Sequence, residues 1–128
     1  MNKRIVLIAS FLGLIGVILG AFGAHGLSGK VGPEQLETWK TAVNYHFYHT
    51  LALLFLSKFS RARETRIIVA AMAFTGGILL FCGSLYLLAV KDFLGIAWAH
   101  YLGPVTPLGG LLFIIGWAFL FFAAFKNK

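Results

Sequence analysis

The stretch Ile67–Val90, IIVAAMAFTGGILLFCGSLYLLAV, runs 24 residues without Asp, Glu, Lys or Arg. At about 1.5 Å per helical residue it reaches roughly 36 Å, enough to cross a hydrocarbon layer of about 30 Å. It has no polar face that a soluble helix would turn to water. The rest of the chain matches it: 59% apolar residues, 12% charged and a mean hydropathy of +0.87 over 128 residues. A soluble domain carries about twice that charge fraction. The composition therefore points to an all-α integral membrane protein. It excludes a secreted disulfide scaffold, a cytosolic enzyme of ordinary composition, a disordered tail and a nucleic-acid-binding domain.

Three more spans are expected around this one. The first covers about residues 5–27 and ends in a glycine-rich tail. The second has only 17 uncharged residues, 41–57. It gains length from a helical start at Pro33, where proline fits the first turn and Glu34 and Glu37 favour the positive end of the dipole. The third is 67–90. The 33 uncharged residues 93–125 are too long for one span. Gly103, Pro104, Thr106 and Pro107 break them, with Thr106 expected as an N-cap and the last span at 107–125. Phe93–Gly103 is then an outer turn carrying Trp98 and Tyr101. The expected architecture is one four-span domain over 1–128, a membrane four-helix bundle.

The net charge of +7 is distributed as an orientation signal. Lys3, Arg4, Lys58, Arg61, Arg63, Arg66, Lys126 and Lys128 fall on one side, and Lys30, Lys40 and Lys91 on the other. Both termini are therefore expected in the cytoplasm, in a multi-pass protein of the plasma membrane. The apolar stretch of the first segment exceeds a signal-peptide core of about 7–15 residues, so a retained span is the reading. The loop Lys58–Arg66 serves as an orientation signal and could also touch anionic headgroups. Cys82, the single cysteine, reads as a small buried apolar residue.

Several motifs fall in order along the chain: Gly20-Ala-Phe-Gly-Ala-His-Gly-Leu27, Trp39-Lys-Thr-Ala-Val-Asn-Tyr-His-Phe-Tyr-His-Thr-Leu-Ala-Leu53, Gly83-Ser-Leu-Tyr86, Gly103-Pro-Val-Thr-Pro-Leu-Gly-Gly110 and Gly116-Trp117. Nearly end to end, the chain resembles the small four-span membrane proteins classed as domain of unknown function family 423, which have a small eukaryotic transmembrane relative. The resemblance implies fold and location, and supplies no catalytic residues.

All four acids, Glu34, Glu37, Glu64 and Asp92, lie outside the expected hydrocarbon core, and so do the basic residues. Classical proton antiport, which uses an intramembrane carboxylate, is disfavoured. The remaining titratable groups are His25, His46, His49 and His100, all expected in the outer half. His46 and His49 share a helix face. With His25 converging on them, or His100, they could ligate a metal or haem, or donate to a quinone. The plainer reading is interhelical hydrogen bonding. No cofactor is expected, and whether a metal binds is left open.

Gly13, Gly16, Gly20 and Gly23 line one face of the first span, Gly16 and Gly20 as a GxxxG pair. They should pack a neighbouring helix, within the bundle or in a homodimer. The Gly103–Gly110 turn reads as a helix entry packed against the glycine tail of the first span, with a ligand-binding turn as its alternative. Ala24-His25-Gly26-Leu27 before Gly32-Pro33 is echoed by Ala99-His100-Tyr101-Leu102 before Gly103-Pro104, which hints at a duplicated hairpin.

Three functions remain. The first is a non-enzymatic accessory or assembly subunit of a membrane complex. The second is a small carrier or pore for a neutral solute, and the third a quinone-, haem- or metal-binding protein using the outer histidines. The expected partners are the lipid bilayer and either a homo-oligomer or a larger membrane complex, with no nucleic acid.

Overall fold

The computed structural model describes residues 2–59 and 65–126. Much of the 58–66 loop, including Arg61, Arg63 and Glu64, lies outside the described residues, as does Lys128. The described chain is helical: α1 (Lys3–Phe22), α2 (Pro33–Leu56), α3 (Thr65–Gly77), α4 (Gly83–Leu94) and α5 (Val105–Lys126). α1 runs on through a π turn at Gly23–Leu27, and a second π turn at Ile78–Cys82 joins α3 to α4 as one rod.

Lys3–Leu27, Thr65–Leu94 and Val105–Lys126 are long and apolar enough to cross a membrane. α2 is long enough, but Glu34, Glu37, Lys40, His46 and His49 make it less apolar than the other three. This helix nevertheless packs against α1, α3 and α4, so the most polar helix is the central one.

Two antiparallel hairpins carry the packing, and each uses glycine against a bulky side chain. Along α1, Gly13, Gly16, Gly20 and Gly23 face Thr50, Phe47, Val43 and Trp39 of α2 in turn. In the second hairpin Gly77 faces Phe113, while Gly109 and Gly116 of α5 face Phe81 and Phe74. Small residues let the helix axes approach, so that dispersion contacts replace the hydrophobic drive that lipid does not supply. The glycine stripe of this helix thus packs against α2 within the chain.

The two hairpins meet over a core of Ala9, Leu53, Leu56, Ile67, Phe74 and Cys82. A second cluster of Leu27, Trp39, Ala89 and Val90 closes one end of the molecule. At the other end Asn2 caps α1, its Oδ1 accepting from the amides of Arg4 and Ile5, and its own amide donates to Ser57 O at 2.8 Å.

The last helix differs from its expected start. α5 begins at Val105, so Thr106 lies inside the first turn rather than capping it. Pro107 also falls in that turn, where its missing N–H costs nothing. Gly95, at φ +68°, ends α4 in the left-handed region and turns the chain into the short 3-10 segment Ala97–Leu102, with Trp98 and Tyr101 exposed.

Candidate functional site

The polar groups of the interior gather around α2. The His46 ring is buried between α1 and α4, with Nε2 2.7 Å from Leu12 O and Nδ1 3.0 Å from the Tyr86 hydroxyl. A carbonyl only accepts, so Nε2 carries the proton. In the neutral ring Nδ1 then accepts from Tyr86. His49 looks towards α5 instead. Its Nδ1–H donates to Tyr45 O at 2.7 Å, and its Nε2 accepts from the Trp117 indole N–H at 3.1 Å. An indole nitrogen only donates, so Nε2 must hold a free pair before that bond forms. Phe113 stacks on the His49 ring with centroids 3.6 Å apart.

Both histidines are therefore built in as helix-to-helix connectors, with each ring nitrogen engaged by the protein. A metal or haem iron would need a lone pair that these bonds already use. Among the described residues no group of three or more His, Cys, Asp and Glu side chains is placed to hold a metal ion. Every buried side-chain nitrogen and oxygen among those residues has a hydrogen-bond partner.

His25 and His100 stand apart from this pair. His25 is exposed in the π turn at the end of α1, about 20 Å of helix from Leu12, against which His46 rests. The expected convergence of His25 with His46 and His49 does not occur, and the two buried rings lie deeper than an outer-surface cluster would. His100 is also exposed, its Nδ1–H turned back onto Ala97 O at 2.7 Å. Sequence spacing set His46 and His49 on one face, but their contacts diverge: one ring reaches α1, the other α5.

The turn Gly103–Gly110 has a similar internal use. Gly103 and Pro104 link the 3-10 segment to α5, and Gly103 N donates to His100 O at 3.3 Å. Ser84 donates to Phe81 O at 3.0 Å, so the Thr106 hydroxyl donates to Ser84 Oγ at 2.6 Å. A Cβ on Gly109 would run into the backbone of Phe81. This turn therefore packs on the third span rather than on the glycine tail of the first, as the sequence had suggested.

Two features escaped the sequence reading. The Trp39 indole donates to Leu19 O at 2.8 Å and lies tilted against the Tyr86 ring with centroids 4.7 Å apart, locking α2 to α1 near one end. Between α2 and α5 a lateral cleft of about 970 Å³ opens, walled by Tyr45, Tyr48, His49, Phe113, Ile114 and Trp117. The aromatic spacing Tyr45, Tyr48, His49 was the only signal for it, since the other wall comes from a distant helix.

Comparison with known proteins agrees with the membrane character. The model of the family described as protein of unknown function (DUF423) matches residues 19–110. The chain is 41% identical over 127 residues to UPF0382 membrane protein YwdK of Bacillus subtilis, covering 97% of this chain and 98% of that one. It is 39% identical over 124 residues to UPF0382 membrane protein SAB0533 of Staphylococcus aureus, covering 97% of each. UPF0382 membrane protein SH2409 of Staphylococcus haemolyticus is 37% identical over the same length, again with 97% of each chain covered. No solved structure matches. The chain belongs to the DUF423 family, whose relatives are membrane proteins.

Proposed function

We propose that this protein is a four-span bundle of the plasma membrane, with both termini in the cytoplasm, that works as a non-enzymatic accessory or assembly subunit. The observation that carries the reading is the internal use of its polar side chains. His46, His49, Trp39, Ser84 and Thr106 all bond within the chain. A carrier or pore for a polar solute presents unsatisfied polar groups along a path, and these groups are spent on holding helices together. What the molecule offers outward is its lateral surface.

The test is mass spectrometry of the chromosomally tagged protein, extracted in mild detergent and purified by affinity. A stoichiometric unrelated subunit is expected. Recovery of the protein with lipid alone overturns the accessory reading. Labelling of cysteines placed at the two termini, from each side of sealed vesicles, tests the orientation, and protection from the outside is expected at both.

A second reading is favoured by the α2–α5 cleft, whose volume of about 970 Å³ falls at the upper end of small-ligand sites. A flat lipophilic molecule such as a quinone would stack there on Tyr45 and Phe113 rather than bond to the histidines. Quenching of tryptophan fluorescence by an added quinone, lost in Trp117→Phe, supports this reading. Quenching that is unchanged in that variant removes it.

A further inference from the structure

The outward face of α2 is unlike the outward faces of α1 and α5. α1 turns Phe11, Leu14 and Val17 outward, and α5 turns out Leu111, Ile114 and Phe121. Hydrocarbon chains cover such residues without loss. On α2 the face opposite the buried residues carries Thr41, Asn44, Tyr48, Leu51 and Phe55, in alternating steps of three and four. Tyr48, Leu51 and Phe55 are 57, 60 and 58% exposed, and Asn44 is exposed as well.

Asn44 is the anomaly. On the neighbouring helix Gly16 faces Phe47 and Gly20 faces Val43, so Asn44 stands level with the residue just before Gly20. That level is about 12 Å inside the end of the apolar segment Lys3–Leu27. An amide has two donors and an acceptor oxygen, and lipid tails satisfy none of them. Neither the Asn44 amide nor the Tyr48 hydroxyl has a hydrogen-bond partner among the described residues. The face thus presents unmet polar groups at bilayer depth, on the least apolar helix of the molecule.

We propose that a second copy of this chain covers this face, with two α2 helices side by side and parallel about a twofold axis along the membrane normal. Two features select a second copy over another occupant. Steps of three and four give the 3.5-residue repeat of a left-handed helix pair, whose crossing angle of about 20° is common in membranes. An amide is both donor and acceptor, so two copies of Asn44 facing each other across the axis satisfy one another, and a twofold axis brings like residues together. At the water end the axis sets Glu37 near its own copy, and the Lys40 Nζ 3.7 Å from Glu37 within each chain offsets part of that like charge. The proposal rests on the four-span arrangement proposed above, in which α2 crosses the membrane, and not on the accessory role.

Single cysteines test it in native membrane vesicles, with the buried Cys82 left in place as background. Disulfide-linked dimers are expected for Asn44→Cys, Tyr48→Cys and Leu51→Cys. They are not expected for Leu14→Cys and Val17→Cys on the outward face of α1. In detergent, Asn44→Leu should raise the dimer dissociation constant about tenfold, as loss of an interhelical amide pair does, while Asn44→Gln retains the dimer. The Asn44 side chain bonds to nothing among the described residues, so neither variant removes a contact that holds the fold, and an unchanged helical spectrum checks this. Equal crosslinking on both helices means random collision and overturns the proposal. Absence of α2 dimers, or α2 crosslinks only to an unrelated protein, overturns it too.

Discussion

The His46 ring donates to the backbone carbonyl of Leu12 across the α1–α2 contact at 2.7 Å, a bond between a side chain and the middle of another helix. It sets the depth of the histidine and ties the most polar helix to an apolar one. A carbonyl inside an α-helix normally accepts from its own helix, so this oxygen uses its second lone pair for His46. Close approach permits the contact, because Gly16 leaves room: a Cβ there would stand 3.1 Å from His46 Cδ2.

That bond is coupled to a second one. Tyr86→Phe removes the hydroxyl donor to His46 Nδ1 and is expected to lower stability by about 1 kcal/mol, the scale of interhelical hydrogen bonds in membranes. In a His46→Ala background the same change should cost much less, because the partner is gone. Unfolding in mixed micelles, run as a double-mutant cycle, measures both. Equal costs in the two backgrounds would remove the coupling.

The glycine stripe should respond in rank order. A Cβ at Gly13 would sit 3.7 Å from Thr50 Cγ2 and one at Gly20 3.5 Å from Val43 Cγ1, ordinary contacts, so Gly13→Ala and Gly20→Ala are expected to be near neutral. A Cβ at Gly23 would collide with the Trp39 indole, which its bond to Leu19 O holds in place. Gly23→Ala should cost about 1–3 kcal/mol, the usual penalty of overpacking. Thermal stability in detergent ranks the three variants.

Gly109→Ala is expected to be worse than Gly23→Ala. Its Cβ would meet the backbone of Phe81, which cannot rotate away as a side chain can. The neighbouring Gly110→Ala is the control, since its Cβ would stand 3.8 Å from the Phe81 ring. Folded yield after membrane extraction, by size-exclusion chromatography, should fall severalfold for the first variant and stay level for the second.

Neither zinc nor a chelator should change the stability of the purified protein. His46 and His49 have both ring nitrogens bonded within the chain, so the best-placed imidazoles offer no lone pair. Thermal unfolding with added zinc, and again with EDTA, measures this. A rise of several degrees in zinc that EDTA reverses would show that the histidines are reachable ligands after all.

The helix pattern and the membrane character were legible in the residues. Uninterrupted apolar runs coincide with the helices Lys3–Leu27, Thr65–Leu94 and Val105–Lys126, which are long and apolar enough to cross a membrane. Pro33 marked the start of α2, since a proline ring fits a first turn and little else in a helix. The same reasoning misplaced the start of α5. Thr106 looked like a cap, but its hydroxyl is used across the helix contact with Ser84.

The site was less legible. Histidine positions give helix phase but not which neighbour lies on each side, and a difference of three residues turns two rings by about 60°. That rotation sends His46 to Leu12 and His49 to Trp117, and sequence spacing had placed the two as one cluster. The glycine stripe announced a close helix contact without naming its partner.

Composition and run length, then, determined by themselves that this is a helical membrane protein and where most of its helices lie. Those properties follow from the transfer of each segment into hydrocarbon, a local quantity summed along the chain. Tertiary structure alone decided that Gly23 meets Trp39, that Phe113 stacks on His49, and that the Asn44 amide faces outward with no partner among the described residues. Each depends on which helix faces which, and that is fixed by the fit of side chains between helices far apart in sequence.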